Sequence, residues 1–288
     1  MRTLLNSLRM ARPRRIVTAL VVALMTAGAT LAWAQQIWVG GGRGWGRNPR
    51  WAQADDFDGQ FMYCRAFFTS RRREPSGSGW STDYPGADYN FSVRLAELTK
   101  MPVKFDSYGN PVHVVVSMSD PLLYHCPMLF MTHFGELGLS GEEATQMRDY
   151  FEKGGFLWVD DAWGSSAWSN WVEQISRVLP PGEFPMFDIP PSHPIMRMLY
   201  TVDRVPQVPS INRWYTLGGD TSELGWDSAE VYFKGIQDRH GRLLVLMTHN
   251  TDISDTWERE GENPEYFDLF SPVGYAIGVN IALYAMTH

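Results

Sequence analysis

Cysteine is almost absent from this chain of 288 residues, which has only Cys64 and Cys126. So small a number excludes a fold held together by a framework of disulfides. Cys64 lies among the apolar residues of a predicted strand, and Cys126 comes just before another. We therefore expect two buried thiols, with a single disulfide between them as the alternative.

The sequence also contains fewer basic than acidic residues. Asp and Glu outnumber Lys and Arg by 32 to 25, and the formal net charge is −7. Because a protein that binds nucleic acid normally presents a basic face, we expect no nucleic-acid partner. The apolar share of 44% and the charged share of 20% are those of an ordinary globular protein.

The sequence lacks the usual metal-binding signatures. No two histidines have the His-x-x-x-His spacing of a helical metal site. The acidic run Asp252–Glu260 lacks the glycine and the ligand spacing of a calcium-binding loop. We predict that this run is a solvent-exposed face and that the protein needs no cofactor, with a divalent metal ion as the alternative.

The one long apolar run of the sequence lies near the N-terminus. Ile16–Leu31 follows four arginines and precedes Ala32-Trp33-Ala34, which has the small-x-small form of a signal-peptidase site. We predict a signal peptide at residues 1–34 and a periplasmic or secreted protein. The alternative is an uncleaved membrane anchor, because the apolar run is nearly long enough to span a bilayer. No later stretch is expected to span one. Residues 35–59, rich in Gly, Arg and Trp, predict a flexible leader whose Trp residues could instead dock on the domain.

One helix–strand unit organises the predicted fold. Ser140 and Glu143 form a capping box, apolar residues follow at helical spacing, and two glycines end the helix. Phe156–Val159 is an unbroken apolar run, which is typical of a central strand covered on both faces. The run ends abruptly in Asp160 and Asp161. Ligands usually bind beyond such strand ends in open α/β sheets.

Further strands and helices alternate along the chain, which predicts an α/β fold with a mostly parallel sheet between layers of helices. The other predicted strands are Phe61–Phe68, His113–Val116, Met128–Met131, Ala229–Ile236 and Arg242–Met247, and the other predicted helices are Tyr89–Thr99, Ala167–Leu179 and one that begins at Ser271-Pro272. Asp88 is expected to cap the first of these helices. Arg65, within the first strand, should pair with a carboxylate, because an unpaired buried charge is costly. Residues 180–212 are dense in proline and predict an irregular excursion within a single domain at 60–288.

Four motifs resemble the DUF4159 family. They are WSTDYPGADYNF at residues 80–91, LAELT at 95–99, GGFLWVDD at 154–161 and GVNIALYA at 278–285. The resemblance extends over about residues 60–287. It implies a flavodoxin-like three-layer sandwich similar to class I glutamine amidotransferases. It also implies bacterial proteins of unknown function, often exported or membrane-tethered and sometimes encoded near MoxR-type ATPases.

One departure from the amidotransferase pattern bears on activity. In those enzymes, the strand that corresponds to Phe156–Val159 leads into a sharp turn that holds a nucleophilic cysteine. Here Asp160 to Gly164 occupy that turn without a cysteine or a serine, and Cys126 precedes a different strand. We therefore predict that the protein has no amidotransferase activity.

Polar residues follow the predicted strands at their carboxyl ends, which meet along one edge of a parallel sheet. These residues are His133, Glu136, Asp160, Asp161, His249, Asn250 and Asp252, and Arg65 and Asp83 could join them. From this group we predict ligand binding by Arg65, Asp83, Asp160, Asp161 and Asp252.

Three interpretations of these residues compete. In the first, Asp160, Asp161, His133 and His249 bind a divalent metal ion that polarises a water molecule. In the second, one of the two adjacent aspartates is the general base of a hydrolase that acts on sugars or peptides. In the third, the carboxylates hold the structure, one by pairing with Arg65 and another by capping the following helix. The cleft then binds a small polar ligand or an envelope protein without turnover.

The sequence favours the third interpretation, a non-catalytic binding or assembly domain of the cell envelope. The enzymatic interpretations make a geometric demand. His133, Asp160, Asp161 and His249 must lie within hydrogen-bonding distance of one another, or of one metal ion.

Overall fold

The structure is a computed structural model that describes residues 48–74 and 77–288. The predicted signal peptide at 1–34 and the predicted leader up to residue 47 lie outside the described residues. Both stay predictions.

The described residues form strands and helices in alternation. The strands are β1 (Tyr63–Phe67), β2 (Thr69–Ser70), β3 (His113–Ser117), β4 (Met128–Thr132), β5 (Leu137–Gly138), β6 (Phe156–Asp160), β7 (Met186–Asp188), β8 (Tyr232–Gln237) and β9 (Leu243–His249). The α-helices are α1 (Gly86–Leu98), α2 (Gly141–Glu152), α3 (Gly164–Val178), α4 (Ile211–Thr216), α5 (Asp255–Glu258) and α6 (Pro264–Thr287). Short 3-10 helices span Ala54–Asp56, Gly79–Ser81, Pro121–His125, Phe134–Glu136, Pro194–Arg197 and Gly225–Ser228.

Seven strands form one sheet in the order β3-β1-β4-β6-β9-β8-β7. The first five of these strands run parallel, whereas β8 is antiparallel to β9 and to β7. Strands β2 and β5 form a separate antiparallel pair. The mostly parallel sheet is therefore confirmed, and the carboxyl ends of five strands meet at one edge.

Alternate strand residues face two apolar layers, because side chains of a strand point to opposite faces in turn. In β6, Leu157 and Val159 pack with α2 and α3, whereas Phe156 and Trp158 pack with α1, α5 and α6. Helices thus cover both faces of the sheet. The arrangement is a three-layer α/β sandwich of flavodoxin-like form, as predicted, whereas its likeness to amidotransferases stays a prediction.

The helix–strand unit that organises the fold is confirmed in detail. Ser140 Oγ accepts a hydrogen bond from Glu143 N at 3.1 Å, and the Glu143 carboxylate accepts one from Ser140 N at 2.8 Å. The helix ends before Gly154, whose φ is 102°. Strand β6 is buried along its whole length.

The two cysteines are bonded to each other, so the expectation of free buried thiols is wrong. The Cys64–Cys126 disulfide joins β1 to the turn before β4, and both residues are 1% exposed. Strands β1 and β4 are neighbours in the sheet. That pairing brings the two sulfur atoms together, and a sequence separation of 62 residues gives no hint of it.

The described part of the predicted leader is packed against the sheet and is not a flexible spacer. Arg50 O accepts a hydrogen bond from Val115 N, and Ala52 N donates to Val115 O, so this segment extends the sheet beside β3. The Trp51 ring lies 5.1 Å from the ring of Phe67. The leader was predicted to be flexible, with docking of its Trp residues on the domain as the alternative. For Trp51 the alternative is correct. The segment also covers an edge strand that would otherwise present unpaired backbone groups.

The last helix begins earlier than predicted. Asn263 Oδ1 accepts a hydrogen bond from Tyr266 N and caps α6, with Pro264 at the first helical position. Pro272 was predicted at the start of the helix and lies inside it. By length and hydropathy α6 could cross a membrane, contrary to the expectation for later stretches. In this fold 61% of its apolar window is buried, as in a core helix.

The proline-dense segment at 180–212 is mostly irregular, as predicted, but it also contributes β7 to the sheet. Asp88 lies inside α1 and does not cap it. Its carboxylate instead pairs with Arg65, whose Nε donates to both carboxylate oxygens at 2.9 and 3.0 Å. Both side chains are fully buried. One interpretation required Arg65 to pair with Asp160 or Asp161. Its partner is instead Asp88.

Arg65 also fixes the loop that precedes α1. Its Nη1 donates to Thr82 O at 2.9 Å and to Trp80 O at 3.3 Å. The guanidinium lies 5.4 Å from the ring centroid of Phe130. Because Asp83 directly follows Thr82, these hydrogen bonds help to position Asp83.

Asp88→Asn should destabilise the protein by about 3–5 kcal/mol, because it leaves the buried Arg65 guanidinium without a compensating charge. Urea unfolding measures the change. The matched control is Asp149→Asn, which breaks the exposed pair with Lys153 and should change stability little. Equal losses in the two variants would contradict a structural role for the buried pair.

Candidate functional site

Three neighbouring strands are each followed by a residue with left-handed backbone. His133, Asp161 and Asn250 come directly after β4, β6 and β9, with φ angles of 51°, 57° and 61°. Asp83, in the loop before α1, has a φ of 61°. Such a conformation costs on the order of 1 kcal/mol for a non-glycine residue, and it is found disproportionately at functional sites. The strained positions mark the carboxyl edge of the sheet as the candidate site.

The turns after β6 and β9 support each other. Asp161 N donates to Thr251 O at 3.2 Å, and Asn250 N donates to Ala162 O at 2.9 Å. Each turn therefore holds the other in its strained form. Asparagine adopts left-handed backbone more readily than most residues.

Helix α3, which follows the two adjacent aspartates, is capped by other residues. Asn250 Oδ1 accepts a hydrogen bond from Gly164 N at 2.8 Å, and Asp227 Oδ2 accepts one from Ser165 N at 3.0 Å. The expectation that one aspartate of the pair caps this helix is wrong. Neither Asp160 nor Asp161 is therefore needed to cap α3.

Asp161 and His133 form a buried pair. His133 Nε2 lies 3.0 Å from Asp161 Oδ2, and the two residues are 1% and 3% exposed. Trp163 Nε1 donates to the other carboxylate oxygen at 2.9 Å. Burial alone would lower the pKa of His133, but the charge of Asp161 and the hydrogen bond to it raise that pKa well above its usual value. The raised pKa favours the imidazolium form of His133 beside Asp161.

Two glutamates lie on the far side of the His133 ring. Its Nδ1 is 3.7 Å from Glu74 Oε2 and 3.8 Å from Glu136 Oε1, and it makes no hydrogen bond within the described residues. Burial raises the pKa of Glu74 to about 7. A Cβ on Gly77 would lie 2.0 Å from His133 Nε2, so only glycine lets this loop pass so close to the ring.

Asp160 faces away from this pair, although it is next to Asp161 in sequence. Thr248 Oγ1 donates to Asp160 Oδ1 at 2.6 Å, and Ser254 N donates to Asp160 Oδ2 at 2.9 Å. Asp160 is the last residue of β6 and points to the layer of α1, α5 and α6, where it is fully buried.

Ser254 connects Asp160 to further carboxylates. Its hydroxyl lies 2.6 Å from Asp83 Oδ2 and 3.2 Å from Asp252 Oδ1. Asp252 Oδ1 also accepts a hydrogen bond from Asp255 N at 2.9 Å. We call the five carboxylates of this region the acidic cluster; its members, none more than 8% exposed, are Asp83, Asp160, Asp161, Asp252 and Asp255.

Burial and mutual repulsion make ionisation of the acidic cluster costly. Burial raises the pKa of Asp160 and of Asp255 to about 8, and it also raises the pKa of Asp83 and of Asp252. Neighbouring charges act in the same direction. The Asp161 carboxylate raises the pKa of Asp83, Asp160 and Asp252, and the Asp83 carboxylate raises that of Asp255.

Few described cations offset this charge. Arg259 Nε lies 3.6 Å from Asp255 Oδ1 but only 2.7 Å from Glu258 Oε2. Arg259 Nη1 is 2.7 Å from Glu262 Oε1, so this guanidinium is shared with two glutamates outside the acidic cluster. Arg65 is already paired with Asp88. His133 lies beside Asp161, so within the described residues the five carboxylates of the acidic cluster outnumber the two cations at ion-pair distance, His133 and Arg259.

Three members of the acidic cluster have the spacing of metal ligands. Asp83, Asp252 and Asp255 each offer one oxygen atom, and these atoms lie within 4.8 Å of one another. We call these three residues the aspartate triad. Their chemistry suits a cation that prefers oxygen ligands.

His249 does not join the other candidate residues. Its Nε2 lies 3.1 Å from Gly164 O, and its ring packs against Trp168 and Tyr232 at 4.8 and 5.8 Å. Burial lowers the pKa of His249 to about 4, so the ring is neutral. The group of His133, Asp160, Asp161 and His249 does not converge, and the geometric demand of the enzymatic interpretations is not met.

A groove of about 730 Å³ lies elsewhere, between the proline-dense segment and β8. Its lining includes Asp188, Arg204, Gln207, Tyr232 and Leu269, and it shares no residue with the acidic cluster. The groove and the strained strand ends are therefore separate features.

The sequence located most of the acidic cluster. Of the predicted ligand-binding residues, the structure brings together Asp83, Asp160, Asp161 and Asp252, whereas Arg65 lies beside them in its pair with Asp88. The prediction of a solvent-exposed face at Asp252–Glu260 is wrong, since Asp252 and Asp255 are 1% and 2% exposed.

Sequence reasoning missed Asp255, Ser254 and Glu74 as parts of this region. The sequence did contain a signal that Ser254 and Asp255 are buried. Ile253 and Trp257, at helical spacing, frame them and are fully buried. No signal of this kind marks Glu74, which lies in a basic, glycine-rich loop.

A comparison with family models finds one match, described as "Domain of unknown function (DUF4159)", over residues 70–286. This range contains His133 and all five residues of the acidic cluster. The resemblance inferred from the four motifs is confirmed. No curated protein matches the chain.

The acidic cluster predicts an unusual dependence of stability on pH in protein treated with a chelator. Folded Asp160 keeps its proton up to about pH 8, whereas an unfolded aspartate loses it near pH 3.8. Between these values the unfolded state binds fewer protons, so the free energy of unfolding falls as the pH rises. Urea unfolding at pH 5 and pH 8 should differ by at least about 1 kcal/mol.

Asp160→Asn is the matched variant for that experiment, because an amide can bond both Thr248 Oγ1 and Ser254 N without carrying charge. It should flatten the pH dependence and be at least as stable as the wild type at pH 8. A wild type that gains stability over this range would contradict the raised pKa values.

Proposed function

Since the chain belongs to the DUF4159 family, whose function is unknown, we propose its role from the site: it is an exported binding domain of the cell envelope that takes up a small, positively charged ligand at the acidic cluster. The observation that carries this proposal is the excess of buried carboxylates over described cations at the carboxyl edge of the sheet. A positively charged ligand would offset the repulsion that burial imposes on these groups.

The position of the acidic cluster agrees with binding. Open α/β sheets bind their ligands beyond the carboxyl ends of the strands. The residues of the acidic cluster lie at the end of β6, in the segment after β9 and in the loop before α1. The strained turns that present them cost stability without serving the core. We interpret that cost as the price of orienting the carboxylates.

Export is part of the proposal, and two independent features support it. The N-terminal sequence has the arginines, apolar run and Ala32-Trp33-Ala34 of a signal peptide. The Cys64–Cys126 disulfide belongs to an oxidising compartment such as the periplasm, since the cytosol keeps thiols reduced.

Ligand binding is tested by thermal unfolding against a panel of cations at constant ionic strength: spermidine, lysine, magnesium chloride and calcium chloride, each compared with sodium chloride. We expect at least one member to stabilise the wild type, by about 2.7 kcal/mol at a hundredfold excess over its Kd. Asp161→Asn, which removes one carboxylate of the acidic cluster, should weaken the effect.

The control for this experiment is Asp268→Asn, which removes the same charge from an exposed position on α6. It should respond like the wild type. If no cation stabilised the wild type beyond the sodium reference, the proposed function would be refuted.

The hydrolase expected from all four residues is excluded, because His133, Asp160, Asp161 and His249 do not converge. A hydrolase that uses only Asp161 and His133 is the second candidate, and one observation favours it. Asp161 occupies the strained turn between β6 and α3 and lies 3.0 Å from His133 Nε2. A carboxylate and an imidazolium in contact can act as general base and general acid. His249 contributes nothing to this pair.

The second candidate predicts turnover of a nitrophenyl ester or glycoside that is lost in Asp161→Asn and retained in Asp268→Asn. Loss should be on the order of a hundredfold or more, as for a general base. A wild type no faster than buffer across such a panel, or an equally active Asp161→Asn, removes the hydrolase from consideration.

A further inference from the structure

The aspartate triad has oxygen atoms that a single ion can reach. One oxygen atom of each carboxylate lies within 4.8 Å of the others, which is close enough for all three to contact one ion. Ca²⁺ accepts irregular coordination by carboxylates at about 2.4 Å, whereas Mg²⁺ demands near-ideal octahedral geometry and gives up its water molecules reluctantly. Three carboxylates from separate parts of the chain therefore suit Ca²⁺ better.

Hydrogen bonds hold one oxygen of each carboxylate in the triad. Asp83 Oδ2 accepts from Ser254 Oγ, Asp252 Oδ1 accepts from Asp255 N, and Asp255 Oδ2 accepts from Ile211 N at 2.8 Å. The second oxygens of Asp83 and Asp252 make no hydrogen bond within the described residues. The side chains are thus oriented while oxygen atoms remain for a ligand, which is the arrangement that metal sites need.

A separate observation points to a ligand at the same place. Tyr63 is fully buried, and its hydroxyl has no hydrogen-bond partner within the described residues. Its ring packs between Phe91 and Phe130. The hydroxyl interacts electrostatically with Asp88 and Arg65 first, and then with Asp160 and Asp83, two members of the acidic cluster.

An unpartnered buried hydroxyl costs about 1–3 kcal/mol. Tyr63 lies on β1, away from the chain segment that carries Asp252 and Asp255, so its unmet hydrogen bond is independent of the carboxylates. A water molecule that an ion brings with it is the kind of partner this hydroxyl lacks.

The donor set determines the class of ion. The triad offers carboxylate oxygens only, and Ser254 adds a hydroxyl. Hard cations such as Ca²⁺ and Mg²⁺ prefer oxygen ligands, whereas Zn²⁺ and Cu²⁺ favour the nitrogen and sulfur atoms of histidine and cysteine. Arg259, the nearest guanidinium to Asp255, is held more closely by Glu258 and does not fill the position.

From these observations we infer that Asp83, Asp252 and Asp255 bind one Ca²⁺ ion, with Ser254 and Tyr63 beside it. This inference rests on the proposed function, because it names the positively charged ligand of the acidic cluster. The three proposed ligands do not have the spacing of a calcium-binding loop. Asp252 and Asp255 are close in sequence, whereas Asp83 comes from a distant part of the chain.

Calorimetric titration tests the inference on the full exported chain after treatment with EGTA. Calcium chloride, magnesium chloride and spermidine are titrated separately into the wild type, Asp252→Asn and Asp268→Asn. We expect one Ca²⁺ per chain and weaker binding of Mg²⁺. Asp252→Asn should lose more than about tenfold in affinity for Ca²⁺, whereas Asp268→Asn should match the wild type.

Circular dichroism confirms that each variant is folded, and Asp83→Asn replaces Asp252→Asn if the latter is not. Calcium bound with equal affinity by wild type and triad variants would overturn the inference. Spermidine binding without calcium binding would overturn the inference and leave the proposed function standing. If no cation bound, both would fail.

Discussion

Repulsion between buried carboxylates is the constraint on which the functional part of this structure depends. Five aspartates lie together at the carboxyl edge of the sheet, and burial makes the charge of each one more costly. The same edge shows how the fold neutralises a buried charge elsewhere. Arg65 donates to the Asp88 carboxylate from Nε and Nη2, and its Nη1 donates to two loop carbonyls. In the acidic cluster only Asp161, beside His133, and Asp255, 3.6 Å from Arg259, have a cation at ion-pair distance among the described residues. This contrast separates a structural ion pair from a candidate binding site.

The local features of the fold could be predicted from the sequence. The capping box at Ser140 and Glu143, the glycine stop and the apolar run of β6 depend only on residues close together in the chain, so their pattern determined the structure. The parallel sheet followed from the alternation of strands and helices. Boundaries failed where packing decides them: α6 continues through Pro272 because neighbouring elements bury both of its halves.

Contacts between distant segments could not be predicted. The bond between Cys64 and Cys126 requires β1 and β4 to be adjacent, and the partner of Arg65 is fixed by the approach of α1. At the site, the sequence predicted that the adjacent Asp160 and Asp161 act together as one acidic pair. The left-handed turn at Asp161 sends its side chain to His133, whereas Asp160 keeps the direction set by the strand and meets Ser254. Where these carboxylates lie was predictable, and which groups they meet was not.

The crystal structure of the protein grown with terbium, a lanthanide stand-in for Ca²⁺, tests the central claim most directly, because anomalous scattering locates the ion without assumptions about its ligands. We predict one strong peak in contact with the carboxylates of Asp83, Asp252 and Asp255. A peak only at the protein surface, with these three carboxylates bonded to protein groups alone, would contradict the claim that the acidic cluster is a cation-binding site.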